Sequence, residues 1–182
     1  MAKLKSTFKN MFLSLSIICL AVALLLAQVN KMTAKPIAEA KALKLQNAIG
    51  EVVPEFNNDP VAESFMIAGE GGDSLLVYPA TNGGEVVGFA ISSSANGFAG
   101  EIQIMVGFDM DDKVVNYEIL QHAETPGLGS KMGYWFKDIE SNSKSIIGRD
   151  MCLGALAVKN DGGGVDVITL STITARVFVK AV

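Results

Sequence analysis

Three stretches of the chain carry residue types and spacings that could do chemistry. Glu124-Thr125-Pro126-Gly127-Leu128-Gly129 combines a carboxylate, a proline with a fixed torsion and two glycines that permit close backbone approach. Such a loop could clamp a flat ligand through its N–H groups; as a bare pattern it is equally a tight turn. Thr169-Leu170-Ser171-Thr172 sets three hydroxyls within four residues, just before a stretch that can be helical. A helix N-terminus has free N–H groups and the positive end of the dipole, which suits a phosphate. The same hydroxyls would also serve as an N-cap. Tyr134-Trp135-Phe136 is a compact aromatic group, able to flank a planar cofactor or to pack into a core.

Other candidates offer less. His122 is the only histidine, and with Glu124 it could make an acid–base pair, although a lone His is more often structural. Asp109-Met110-Asp111-Asp112 opens like a calcium loop. Val114 then stands at the glycine position and Leu120 at the closing glutamate, so a solvated turn is the better reading. Gly69-x-Gly71-Gly72 and Gly162-Gly163-Gly164 lack the strand-to-helix setting of a phosphate loop and read as turns. Cys19 lies in an apolar run and Cys152 in the distal domain, which excludes a disulfide framework or a multi-Cys metal site. Both read as small apolar fillers.

The elements that must position these residues follow from charge and hydropathy. The 182 residues suit one domain of ordinary size. Charge is uneven along them. Residues 1–45 carry seven Lys and one acid, Glu39, for a net of +6, and residues 46–182 carry eight basic and eighteen acidic groups, for a net of −10. An acidic domain argues against nucleic-acid binding through phosphate neutralisation. Between Lys9 and Lys31 no charge occurs for 21 residues, enough helix to cross about 30 Å of hydrocarbon. The run is longer than a signal-peptide core, and Ala27-Gln28-Val29 is a poor cleavage site. Residues 10–30 therefore read as an uncleaved transmembrane helix, with residues 1–9 cytoplasmic by the positive-inside rule and the rest outside a bacterial plasma membrane.

Beyond the membrane, Pro36 sits well in a first turn and Ile37–Val53 reads as a helix closed by Pro54. Residues 31–72 form a stalk or helical linker. Strands are expected at Ser74–Pro79, Val86–Ile91, Glu101–Phe108 and Val114–Gln121, with a hairpin at Asn82-Gly83. A short helix is expected around Lys131–Ile139, and a final hairpin pairs Cys152–Val158 with Val165–Ile168. Thr172–Val182 fits strand or helix. The sum is an α+β protein: a transmembrane helix and a stalk helix, then an antiparallel-sheet domain over 73–182.

Glu85–Ala90, Gly97–Gly100, the strand ending Val106-Gly107-Phe108-Asp109, His122–Gly129 and Val165–Arg176 occur in an order that resembles the FMN-binding domain family of RnfG and NqrC. Those are membrane-anchored subunits of ion-translocating electron-transport complexes. The resemblance covers roughly 75–182 and favours the RnfG type. It implies FMN joined to Thr172 by a phosphoester, placed there by a separate magnesium-dependent flavin transferase. It implies that Asp166 and Thr169 match the frame the transferase recognises. The Glu124–Gly129 loop, with Glu124, Thr125, Gly127 and Leu128 as cofactor-binding residues, would lie beside the isoalloxazine, with Thr169 and Ser171 near the phosphate and Leu170 among the cofactor-binding positions. Leu170 stands where the family has Gly, and Ser171 where it has Ala; a glycine there supplies a positive φ or room for the transferase. The implied role is an electron-transfer subunit, not a stand-alone enzyme, with other membrane subunits as partners and the cofactor carrying the chemistry. Two alternatives stand beside it: a flavin-free anchored assembly module, and a covalent flavin carrier for another respiratory complex.

Overall fold

Hairpin chemistry orders the sheet. In the computed structural model, which describes residues 7–69, 74–141, 143–154 and 156–182, helix α1 (Phe8–Val52) leads to strands β1 (Phe65–Ala68), β2 (Ser74–Asn82), β3 (Glu85–Asn96), β4 (Glu101–Asp109) and β5 (Val114–Gln121). A single helical turn α2 (Met132–Trp135) and a terminal helix α3 (Thr172–Ala181) follow. β2 and β3 meet across Gly83-Gly84, whose φ values are +64° and +89°. Two positive φ values make the turn whose twist suits a two-residue hairpin. β4 returns to β5 through a turn that Asp109 caps, its Oδ1 accepting from the N–H groups of Asp111 and Lys113, both at 2.9 Å. The sheet is an antiparallel meander in the order β1-β2-β3-β4-β5. The fold is α+β, as the strand spacing predicts.

Alternation along β4 divides the interior. Ile102, Ile104 and Val106 join Tyr117, Phe136, Ile168 and Phe178 in one core beneath α3. Met105 faces the other way, into a core with Tyr78, Ala80, Ala90 and the final turns of α1. Val52 closes so tightly over β4 that any Cβ at Gly107 would collide with the Val52 carbonyl, so this position needs glycine. α3 is anchored by Phe178, which stacks on Phe136 at 4.6 Å and meets Tyr117 edge-on at 4.9 Å.

Several elements differ from the sequence expectation. No new helix begins at Pro36. α1 runs through it without a break, and Thr33 Oγ1 donates to the Val29 carbonyl in the turn before it. An interior proline removes only one helical hydrogen bond, and a 45-residue helix absorbs that loss. The stretch 31–72 also contains β1, an edge strand whose four residues are all exposed and so show no alternation to read. The expected hairpin between Cys152–Val158 and Val165–Ile168 is absent. Val158 and Val165 make a single parallel bridge that flanks the 3-10 turn Lys159–Asp161, and Met151–Leu153 is a 3-10 turn as well. The reason is Gly163, which sits so close to Ala157 that a Cβ would strike its carbonyl, letting the chain fold back without a ladder. Thr172–Val182 resolves as helix. Cys19 and Cys152 are both exposed, so neither fills a core. Of the Gly69–Gly72 turn, residues 70–72 lie outside the described residues.

By length and composition α1 can cross a bilayer: its most apolar 18-residue window has a mean hydropathy of 2.5, and none of that window is buried. The chain divides between Leu43 and Lys44 into an apolar helical unit and the sheet domain.

Candidate functional site

Two of the segments with chemical potential meet in one cleft of about 330 Å³. One wall is the loop after β5, contributing Glu124, Thr125, Leu128 and Gly129; the other is Leu170–Thr174, the entry to α3, with Phe98 completing the rim. Pockets for small organic ligands begin near this size, roughly 300 Å³.

The loop is built for rigidity. Gly127 has a φ of +77°, and its N–H donates to Ser130 Oγ at 2.9 Å. The N–H of Leu128 donates to the Thr125 carbonyl at 3.2 Å, closing a turn that leads into the 3-10 segment Gly129–Lys131. Proline and a positive-φ glycine leave such a loop few alternative conformations.

The opposite wall is a helix start with unmet hydrogen-bonding capacity. Ser171 is the N-cap and Ala175 N–H donates back to its carbonyl, but the Ser171 hydroxyl makes no capping bond. Among the described residues no partner accepts from the N–H groups of Thr172, Ile173 and Thr174, and no hydrogen bond engages the Thr172 hydroxyl. The first turn of α3 therefore presents free donors and the positive dipole end to the cleft. Leu170, just before it, has a φ of +65° and is 83% exposed. The backbone takes the left-handed conformation there although the residue is not glycine, a conformation that costs a branched side chain roughly 1–2 kcal/mol.

Further back, Asp166 holds this segment in register. Its carboxylate pairs with Lys159 Nζ at 2.6 Å and accepts from Ser143 Oγ at 2.6 Å. The Lys159 hydrogen bond, helped by Ser143, holds that carboxyl below the usual aspartate range. On the outer face of α3, Arg176 donates to both oxygens of Asp161 at 2.6 and 2.7 Å.

Of the predicted site residues, Glu124, Thr125, Leu128, Leu170, Ser171 and Thr172 line the cleft, whereas Gly127 and Thr169 lie beside it without lining it. His122 is exposed and also outside the lining. Tyr134-Trp135-Phe136 does not flank the cleft either. Phe136 is buried in the core, and the Trp135 ring lies 4.9 Å from Lys144 Nζ. The Cys152 thiol donates to Asp112 Oδ2 at 3.2 Å, and that contact pushes its pKa up, away from a reactive thiolate. Among the described residues no cluster of His, Cys, Asp and Glu could hold a metal. Gly129, the last residue of the predicted loop, also lines the cleft; Phe98, Ile173 and Thr174 line it and are not among the predicted site residues. The sequence signal for Phe98 is an aromatic in Gly97-Phe98-Ala99-Gly100, where a turn leaves it 71% exposed.

Comparison with known proteins gives this site its class. The FMN-binding domain model matches residues 97–182, a span that contains both walls of the cleft and Phe98. The G subunit of an ion-translocating oxidoreductase complex from Yersinia pestis is 33% identical, over 97% of this chain and 87% of its own length. Its counterpart from Photorhabdus laumondii is 34% identical with the same coverage, and that from Stutzerimonas stutzeri is 31% identical over 93% of this chain and 75% of its own length. The chain belongs to the family formed by the G subunits of ion-translocating oxidoreductase complexes, the RnfG family that its sequence motifs resemble.

Proposed function

We propose that the protein is a membrane-anchored electron-relay subunit of an Rnf-type ion-translocating complex, and that its FMN is joined by a phosphoester to Thr172. One observation carries this reading: the unengaged Thr172 hydroxyl sits in the first turn of α3, beside free N–H groups, on the wall facing the Glu124–Gly129 loop. FMN supplies reversible one- and two-electron chemistry when bound. The chain's residues supply the rest. In attachment the Thr172 oxygen would bond to the flavin phosphorus as a P–O bond of the transferase's donor breaks, the donor's leaving group and the hydroxyl proton departing. The resulting phosphodiester would keep one negative charge, which the N–H groups of Thr172, Ile173 and Thr174 and the dipole of α3 would favour. Leu128 and Phe98 would offer apolar surface to the flat ring system, beside the Thr125–Gly129 loop.

The positive φ of Leu170 supports attachment over the flavin-free alternative. The backbone conformation that a glycine would supply is present, and Leu170, which lines the cleft, is 83% exposed there. α1 would serve as the anchor, with residues 10–30 in the bilayer, the amino terminus cytoplasmic and the sheet domain on the far side. The partners would be the other membrane subunits of the complex and a flavin transferase. A covalent link keeps the flavin with an extracytoplasmic domain that no cytoplasmic cofactor pool replenishes.

In-gel ultraviolet fluorescence tests this directly. The full chain from cells that possess the transferase gives a fluorescent band after denaturation, and Thr172→Ala removes it. A dark wild-type band, or an equally bright Thr172→Ala band, overturns the assignment.

A further inference from the structure

The proposed flavin chemistry leaves one buried carboxylate without a task. Glu124 is only 5% exposed, and its two oxygens are shared between separate parts of the fold. The Ala99 N–H, in the turn between β3 and β4, donates to Oε1 at 3.1 Å. The Thr174 hydroxyl, in the first turn of α3, donates to Oε2 at 2.8 Å. Two glycines make room for it. A Cβ at Gly97 would collide with Oε1, and one at Gly129 would stand 2.5 Å from Oε2 and 3.0 Å from Thr174 Oγ1. The Gly97–Gly100 turn is itself closed by the Gly97 N–H donating to the Gly100 carbonyl at 2.8 Å. That turn carries Phe98, and the α3 turn carries Thr172, so the carboxylate fastens both sides of the cleft to the Glu124 loop.

We infer that Glu124 is a positioning residue which sets the width of the cleft and the aim of the Thr172 hydroxyl. The inference rests on the flavin-attachment reading. A carboxylate accepts two bonds from donors on different elements without presenting a donor of its own. Charge-assisted bonds are shorter and stronger than neutral ones, which suits a fastening. A glutamine could keep both fastenings, its carbonyl accepting from the Ala99 N–H and its NH₂ donating to the Thr174 hydroxyl, whereas an alanine keeps neither. Phe178 seats α3 against Phe136 and Tyr117 through ring contacts that do not involve Glu124, so losing the fastening alters the cleft before it alters the fold.

The test uses the full chain produced together with a flavin transferase, with flavin occupancy followed by intact mass over time. Amide hydrogen exchange is measured on the same samples. Thr174→Ser keeps the hydroxyl and loads like wild type. Thr174→Val and Glu124→Ala load at least about tenfold more slowly, as expected when a reacting group is misplaced. The β4 and β5 amides remain the most protected of the chain in all three. The Ala99 amide exchanges faster in Glu124→Ala and stays protected in Thr174→Val. Wild-type loading rates in Thr174→Val and Glu124→Ala overturn the inference, as does slow loading that follows loss of β4 and β5 protection. A wild-type chain that carries no flavin overturns the proposed function instead, and the Ala99 exchange pattern then decides whether the fastening exists.

Discussion

Helix α3 is held on its inner side by Glu124, through Thr174, and on its outer side by Asp161, through Arg176. The first carboxylate is 5% exposed and takes one bond from each of two elements. The second forms a two-pronged pair with side chains 42% and 49% exposed. By contact distance alone the outer pair looks stronger. Burial reverses the ranking for the site: donors that lose a buried partner have no water to replace it, whereas an exposed pair exchanges one solvated state for another. The inner grip therefore defines cleft geometry, and the outer one adjusts stability with salt and pH.

Phe178→Ala sets the scale for both grips, because it removes the stacking partner of Phe136 that seats α3. A loss of about 3–5 kcal/mol is expected in denaturant unfolding of the full chain. Next comes Glu124→Ala, which leaves the Ala99 N–H and the Thr174 hydroxyl unpaired and costs about 1–3 kcal/mol, with little dependence on salt. A strong salt dependence there would erase the contrast. Leu170→Gly relieves the left-handed strain at the helix entry. It should stabilise by up to about 1 kcal/mol once the entropy of the added glycine is subtracted.

The smallest effect belongs to the outer pair. Asp161→Asn produces a slight destabilisation that vanishes in high salt. Arg176 hydrogen bonding holds the Asp161 carboxyl below its ordinary range. A depressed folded-state pKa means that this stability is present above the ordinary aspartate range and is lost as pH falls through and below it. Lys159 and Ser143 impose the same sign on Asp166. Wild type should therefore lose stability in acid more steeply than Asp161→Asn, and parallel pH profiles would show that the pair contributes nothing.

The strands after Ser74 are legible in the sequence because alternation and turn residues act locally. Asn82-Gly83 marks its hairpin one residue early, since the turn centres on Gly83-Gly84. Pro36 misleads because a local helix-start signal takes no account of the tolerance of a long helix for one missing bond. β1 is invisible because all four of its residues are exposed, and its pairing with β2 is set by tertiary contact. Both walls of the cleft are visible as motifs. Thr174 does not stand out, because its importance comes from packing around Glu124, a contact between residues 50 positions apart.

The most direct test of flavin attachment is mass mapping of the peptide running from Asn160 to Arg176, released by cleavage after Lys159 and after Arg176. It contains Thr169, Ser171, Thr172 and Thr174, so it separates every hydroxyl near the α3 wall of the cleft. Fragmentation should place an added FMN, less one water, on Thr172 alone. An unmodified peptide from fully matured protein, or the added mass on Thr169, Ser171 or Thr174, would contradict the assignment.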